Sequence, residues 1–379
     1  MKICVFSGSR SEYGLLKKLI ILLNQNKSFK SNLIISGSHL SKKYGSTYKE
    51  ILNDDLKIKK KINVRVNDSS SWGVCNSFSI INKKINDYFE KNKFDLLIVL
   101  GDRYETLAVV IAAYIHRVRV CHIHGGEKTL DSLDDNFRHS ISKLSNYHFV
   151  SHKDNKKRLI QLGEKKDTIF VVGSLGANSI RNFSFYRKEK IEKLLNINFS
   201  KKTVIINYYP EISNIKKYKK SLNNIFQIVK YFKDMQFIFT LPSHDKNNDF
   251  FIKKIINFNK LHKNCFIFKS LGQNKYYSLL KYSNLMIGNS SSGIFEMPSF
   301  KKYTLNIGDR QKGRIFSNSI IQTSSEIDVL KKNIKKYINK KSKTENSYFK
   351  KNTYELIVKK LKIIKKKKNN TNIKEFIDI

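Results

Sequence analysis

Leu96-Leu97-Ile98-Val99-Leu100-Gly101-Asp102-Arg103-Tyr104-Glu105 opens a stretch that runs on through the apolar segment Leu107 to Ile115 and closes with Arg119-Val120-Cys121-His122-Ile123. A run of apolar residues, a glycine turn, a helical segment and a second apolar run spell strand, helix, strand. Continuous apolar strands of this kind belong to parallel βαβ units whose helices cover both sheet faces. The alternation extends in both directions. Upstream, strands are predicted at Lys2 to Ser7, Leu33 to Ser36 and Ile62 to Val66, with helices at Leu15 to Leu23 and Phe78 to Glu90. Downstream come a helix at Asp135 to Leu144 and strands at His148 to Val150 and Ile169 to Val172. Past the charged stretch Arg187 to Lys193 a second series predicts strands at Thr203 to Asn207, Phe237 to Leu241, Cys265 to Phe268, Leu285 to Gly288 and Tyr303 to Ile307. The fold class read from this pattern is α/β, two Rossmann-like doubly wound domains facing across a cleft, with ligand at the carboxyl ends of the strands. The predicted bounds are 1–185, 186–345 and a basic C-terminal helix and tail over 346–379.

Composition narrows the function classes. The chain has 379 residues, 40% of them hydrophobic and 12% aromatic, enough to build a large core and to exclude a disordered basic polypeptide. No apolar run is long enough for a bilayer, and Ile3-Cys4-Val5-Phe6 is too short for a signal-peptide core, so a cytoplasmic chain with no membrane partner is expected. Cys4, Cys75, Cys121 and Cys265 are widely spaced, which argues against a disulfide framework or a cysteine zinc site. Lys plus Arg number 73 against 31 Asp plus Glu, a net charge of +42. Of the basic residues 62 are Lys, spread over nearly every surface-like segment, and only 11 are Arg. Nucleic-acid readers cluster Arg forks with interleaved aromatics, so this distribution argues against a nucleic-acid partner.

The loops that follow strands hold the chemistry-bearing residues. Ser7-Gly8-Ser9-Arg10-Ser11-Glu12-Tyr13-Gly14 lets backbone approach a ligand at a helix start, but it is not GxGxxG and no nicotinamide cofactor is expected. Gly101-Asp102-Arg103, then His122-Ile123-His124-Gly125-Gly126-Glu127, then Asp134-Asp135 with Arg138-His139 bring carboxylates to one rim of a sheet. A single one could be a loop cap; the set suits acid and base roles, because crowded carboxylates push their pKa values apart. His122 and His124 have no further partners in a metal-ligand spacing, so no metal is expected. In the second half, Asn289-Ser290-Ser291-Ser292-Gly293 follows a strand and opens a helix as a phosphate cradle, Glu296 lies one turn on, and Gly308-Asp309-Arg310-Gln311-Lys312-Gly313-Arg314 adds cations beside it. Arg10, Arg103, Arg138, Arg310 and Arg314 all fall in these loops or at helix starts, where an anion would bind.

On the blocks SGSRSEYG, LGDRYE, HIHGGE, DDNFRHSISKLSNYHFVSH, VVGSLG, SLGQNKYYSLLKYSNLMIGNSSSGIFEMPSF and NIGDRQKGR, in order over residues 7 to 314, the chain resembles the hydrolysing UDP-N-acetylglucosamine 2-epimerases of bacterial sialic-acid and related nonulosonic-acid synthesis. The resemblance implies a glycosyltransferase-B arrangement with UDP-binding in the second domain, and a homo-oligomer, dimer or tetramer. It implies conversion of UDP-N-acetylglucosamine and water to N-acetylmannosamine and UDP, through elimination to a glycal and hydration with inversion at C2, without a cofactor. By motif match Asp102, Glu127 and Asp134 are the acid/base carboxylates, with the division of roles open. Arg10, Arg103, His124, Arg138, Gly173, Ser290, Ser291, Ser292, Gly293, Glu296 and Arg310 are the matched substrate and UDP positions. The chain departs from the family at Asn207-Tyr208-Tyr209-Pro210, where relatives usually carry a histidine before proline, and at Pro242-Ser243-His244-Asp245, where His244 is the candidate replacement. The alternatives are a hydrolysing 2-epimerase of UDP-N,N'-diacetylbacillosamine for legionaminic acid, a non-hydrolysing epimerase, and, from another class, a GT-B glycosyltransferase or a non-catalytic UDP-sugar binding protein. The non-hydrolysing group shows Gly-Asp-Thr and Glu-Ala-Gly-Leu-Arg at the places of Gly101-Asp102-Arg103 and His124-Gly125-Gly126-Glu127, which favours hydrolysis.

Overall fold

The structure is a computed structural model and describes residues 1–379 except 43–44, 65–69, 131–132, 182, 210–214, 242–247, 270, 368–373, 376 and 379. It divides into two compact units, one of residues 1–128, 132–178 and 350–379, the other of 129–131 and 179–349.

The first unit runs β1 (Lys2–Ser7), α1 (Arg10–Gln25), β2 (Lys30–Ile35), α2 (Tyr48–Asn53), β3 (Ile58–Lys61), α3 (Ser71–Lys91), β4 (Leu96–Leu100), α4 (Tyr104–Ile115), β5 (Arg119–Ile123), α5 (Leu133–Leu144), β6 (Tyr147–Val150), α6 (Lys153–Gln161) and β7 (Ile169–Val171). All strand pairs are parallel, in the order β3-β2-β1-β4-β5-β6-β7. Side chains alternate across a strand, and β1 divides accordingly. Ile3 and Val5 join one core with α1, while Cys4 and Phe6 join the other with Ile81 and Ile85 of α3 and Ala108 and Val109 of α4. The chain leaves through α7 (Leu175–Arg181).

The second unit continues with α8 (Lys188–Leu195), β8 (Thr203–Asn207), α9 (Ile215–Tyr231), β9 (Gln236–Thr240), α10 (Asn248–Leu261), β10 (Cys265–Phe268), α11 (Gly272–Tyr282), β11 (Leu285–Gly288), α12 (Ser292–Phe295), β12 (Tyr303–Ile307), β13 (Ile320–Thr323) and α13 (Ile327–Tyr337). Its parallel sheet has the order β10-β9-β8-β11-β12-β13. The last helix, α14 (Thr353–Lys366), belongs to the first unit. Its face Tyr354, Ile357, Leu361 and Ile364 is buried in the same core as Ile3 and Val5, so this basic helix is a layer of the first unit.

Two strands differ from expectation. The third strand is Ile58-Lys59-Lys60-Lys61 and not Ile62 to Val66; Ile62 instead plugs the core, and Arg65 and Val66 lie outside the described residues. The predicted series also omits Ile320–Thr323. Both are edge strands; the lysines of β3 guard it against unwanted pairing and remove its apolar signal, and β13 is only four residues long. Among the described residues no helix is long and apolar enough to cross a membrane.

In doubly wound sheets ligands bind where the strand order reverses. In the first sheet that point lies between β1 and β4, in the second between β8 and β11. The loops Ser7–Arg10 and Gly101–Arg103 start at one, and Tyr208–Tyr209 and Asn289–Ser291 at the other.

Candidate active site

Arg138 organises the first unit's site. It lies on α5 and is 1% exposed, yet both terminal nitrogens of its guanidinium are hydrogen-bonded. One nitrogen donates to the Asp102 carboxylate in the loop after β4, and the other to Asp135 Oδ1 at 2.7 Å and to the Glu127 carbonyl at 3.2 Å. Burial works against this charge, but Asp102, Glu127 and Asp135 around it hold the guanidinium pKa above its ordinary value. Asp134 stands in the same first turn of α5.

Glu127 is buried and accepts a hydrogen bond from Ser151 Oγ at 2.9 Å, and Asn155 supports Ser151 in turn at 2.8 Å. The Leu175 N–H donates to His124 Nε2 at 3.4 Å, which leaves the imidazole proton on Nδ1, directed at Glu127 Oε1 3.5 Å away. His124 takes φ +66°, a costly conformation for a residue with a side chain and one found where the surroundings impose it. The two glycines that follow are required: a Cβ on Gly125 would lie 2.8 Å from His122 Nδ1, and one on Gly126, at φ +69°, 2.4 Å from the Asn155 carbonyl.

His122 is structural. Its Nε2–H donates to the Gly101 carbonyl at 2.7 Å, so Nδ1 accepts from Ser142 Oγ at 3.0 Å, and burial pushes its pKa down to about 3. Among the described residues no group of three or more His, Cys, Asp or Glu is arranged to hold a metal ion.

The loop after β1 is held from below. Ser9 caps α1 by accepting from the Glu12 N–H, and Glu12 Oε2 accepts from the Gly8 N–H at 2.7 Å. Arg103 makes a forked pair with the buried Glu105, 3.0 and 3.2 Å, and Arg10 lies 3.2 Å from Glu50. Glu12 is a functional candidate that motif reading passes over. Burial raises its pKa to about 7, reinforced by Glu105 and Asp102 and opposed by the Gly8 N–H and Arg103. The available signal is its place on the face Glu12, Leu16, Leu19, Leu23 of α1, otherwise apolar and buried. Because the folded protein binds this proton more tightly than the unfolded chain, stability should fall as pH rises from the ordinary 4.5 toward 7 and level off above it. Glu12→Gln, which keeps an acceptor for Gly8, should flatten that slope, by on the order of 3 kcal/mol across the window, in thermal melts taken through it.

Gly173 sits under the last helix, where a Cβ would meet Lys350 and Thr353. This places it in the packing of the first unit, not among the contacts described around Arg138.

In the second unit a chain of hydrogen bonds crosses the strand ends. Tyr209 Oη lies 3.2 Å from Thr240 Oγ1, Thr240 donates to Asn207 Oδ1 at 2.5 Å, Asn207 Nδ2 to Tyr276 Oη at 2.7 Å, and Tyr276 to Ser292 Oγ at 2.7 Å. Asn289 clamps the loop after β8 by exchanging two 2.8 Å bonds with the Tyr209 backbone. Arg310 donates to the Asn289 carbonyl at 3.1 Å and lies 5.6 Å from the centre of the Tyr209 ring. Ser290 Oγ accepts from the Ser292 N–H at 3.2 Å, and Ser291 precedes the short α12, which contains Ser292 and Gly293. Desolvation raises the Glu296 carboxyl to about 7, against Ser292 and Arg314. His244 lies outside the described residues.

The family model described as UDP-N-acetylglucosamine 2-epimerase matches residues 22–362. A Campylobacter jejuni GDP/UDP-N,N'-diacetylbacillosamine 2-epimerase (hydrolyzing) is 40% identical over 345 residues, 90% of this chain and 88% of the relative. The Escherichia coli polysialic acid biosynthesis protein P7 is 35% identical over 386 residues, 100% of this chain and 97% of the relative. Among solved structures, a Neisseria meningitidis UDP-GlcNAc 2-epimerase crystallised with UDP-GlcNAc superposes with a TM-score of 0.81 at 21% identity, covering 96% of this chain and 100% of that one, which shows the GT-B-like fold. The chain belongs to the UDP-N-acetylglucosamine 2-epimerase family.

Proposed function

We propose that the protein is a hydrolysing UDP-sugar 2-epimerase. The observation that carries this reading is the buried Arg138 gathering Asp102 and Asp135 beside Glu127 and His124 at the carboxyl end of the first sheet. A base among Asp102, Glu127 and Asp134 takes the C2 proton of a 2-acetamido sugar as the C1–O bond to UDP breaks, giving a glycal. Water then adds its oxygen at C1, and a second acid returns a proton to C2 from the opposite face. The C2 proton is weakly acidic, so base placement and charge stabilisation on the leaving diphosphate must share the barrier. The second unit's serine loop, with Arg310 and the partly buried Glu296, is the assigned holder of the nucleotide.

For the sugar, the 40% identical relative named for N,N'-diacetylbacillosamine favours UDP-2,4-diacetamido-2,4,6-trideoxyglucose. The full-length likeness to the polysialic acid protein supports UDP-N-acetylglucosamine as the second reading. Each nucleotide sugar is incubated with the protein in deuterated water and followed by NMR. The expected product is the free manno-configured sugar with deuterium at C2, together with UDP. A UDP-linked manno sugar as end product would overturn hydrolysis, and no turnover of either would overturn the enzyme reading.

A further inference from the structure

The helix that presents Asp134, Asp135 and Arg138 is anchored by few apolar side chains. Of the residues of α5 Arg138, Ile141 and Ser142 are buried; Ile141 belongs to a hydrophobic core and the partly buried Leu144 packs against it. Polar ties add to this anchorage. Arg138 ties the N-terminal half to Asp102. Ser142, one turn on and on the same face, donates to His122, whose other nitrogen holds the carbonyl of Gly101, the residue before Asp102. The third tie comes from the far end of the chain. Lys374 Nζ donates to the Lys143 carbonyl at 2.6 Å, an acceptor in the last turn of the helix, and at 3.5 Å to the Ser142 carbonyl, which also accepts from the Ser145 N–H at 3.0 Å. The same ammonium bonds both oxygens of the buried Glu164, at 2.7 and 2.6 Å. Glu164 in turn pairs with His148 Nε2 at 2.8 Å on β6 and lies 3.7 Å from Lys143. Further along the same tail Glu375 meets Lys165 at 2.7 Å.

We propose that Lys374 is a positioning residue for the reaction, holding the C-terminal end of α5 and, through Ser142 and His122, the loop that bears Asp102. The path is continuous in hydrogen bonds: Lys374 to the Ser142 carbonyl, Ser142 Oγ to His122, His122 to Gly101. A cation at a helix C-terminus also meets the negative end of its dipole, so the contact favours a formed last turn of α5. The proposal rests on the assignment of Asp102 and Arg138 to the reacting site.

The test compares full-length wild type, Lys374→Met and Lys374→Arg by steady-state kinetics on both nucleotide sugars and by amide hydrogen exchange over residues 133–144. Lys374→Met should fold, exchange faster in that segment and lose about ten- to a hundred-fold in kcat with little change in KM, because a small misplacement of reacting groups is expensive while nucleotide binding lies in the other unit. Lys374→Arg, which keeps a cation with several donors, should recover most of the loss. A folded Lys374→Met with wild-type kcat, or unchanged exchange over 133–144, would overturn the proposal, even with a lowered melting temperature. Should Lys374→Met prove unfolded, Lys374→Gln, which keeps a donor but removes the charge, takes its place: a drop in kcat at unchanged KM with faster exchange upholds the tie, and wild-type values in both overturn it. If the wild type turns over neither sugar, the assigned reaction falls, while the exchange comparison still decides whether Lys374 holds α5.

Discussion

Asp102→Asn is expected to lower turnover by about 10²- to 10⁴-fold while leaving the fold in place. The amide is isosteric and its oxygen can still accept from Arg138, so the geometry around the guanidinium survives. What disappears is the charge and the ability to carry a proton at the end of β4. Arg138→Met makes the complementary measurement. It leaves Asp102 and Asp135 without their shared cation and should cost about 3–5 kcal/mol in urea unfolding as well as the activity, since removing one member of a buried ion pair strands the others. The two variants separate chemistry from scaffolding. A near-normal rate in Asp102→Asn would remove that carboxylate from the mechanism.

Gly288→Ala is expected to be the most damaging single methyl in the second unit. Gly288 ends β11 at φ +146°, and a Cβ there would lie 2.0 Å from the Asn207 carbonyl oxygen and 2.4 Å from its carbon. Those are backbone atoms of the paired strand β8, locked by the register that sets Gly288 opposite Asn207. Relief requires parting the strands at the switch point, and with them the chain of bonds from Asn207 through Tyr276 to Ser292. A loss above about 4 kcal/mol is expected, with UDP binding lost by calorimetry. Gly101→Ala is the control: its φ is +87° but a Cβ there meets nothing within 4 Å, so only backbone strain of about 1–3 kcal/mol remains. Equal losses in the two variants would show that close approach is not what Gly288 serves.

Much of this was legible in the sequence because central strands and the loops after them are local. Leu96–Leu100 is a continuous apolar run and Arg119–Ile123 carries three apolar residues in five, and the glycines beside them mark the turns that bear Asp102 and His124. The edge strand β3 was not, since Ile58-Lys59-Lys60-Lys61 has the composition of a solvated loop. Pairing across the site was hidden as well. Arg138 stands near Asp135 in sequence, but nothing in the chain says that it also reaches Asp102, 36 positions away. Glu12 reads as a helix-start carboxylate until tertiary contact buries it beside Gly8. Lys374 looks like one more lysine of a basic tail, and only the fold brings it 210 positions back to Glu164.

The helix α14 gives the chain an unusual schedule of synthesis. The strands of the first sheet leave the ribosome early, but the core over Ile3 and Val5, begun by α1, is completed only when Tyr354, Ile357, Leu361 and Ile364 emerge after the second unit. The second unit, drawn mainly from residues 179–349, has its whole sheet before that moment. At about 5–20 residues per second the N-terminal half therefore waits some tens of seconds with part of one face uncovered, while its other face, over Cys4 and Phe6, has all its core residues by Ile141.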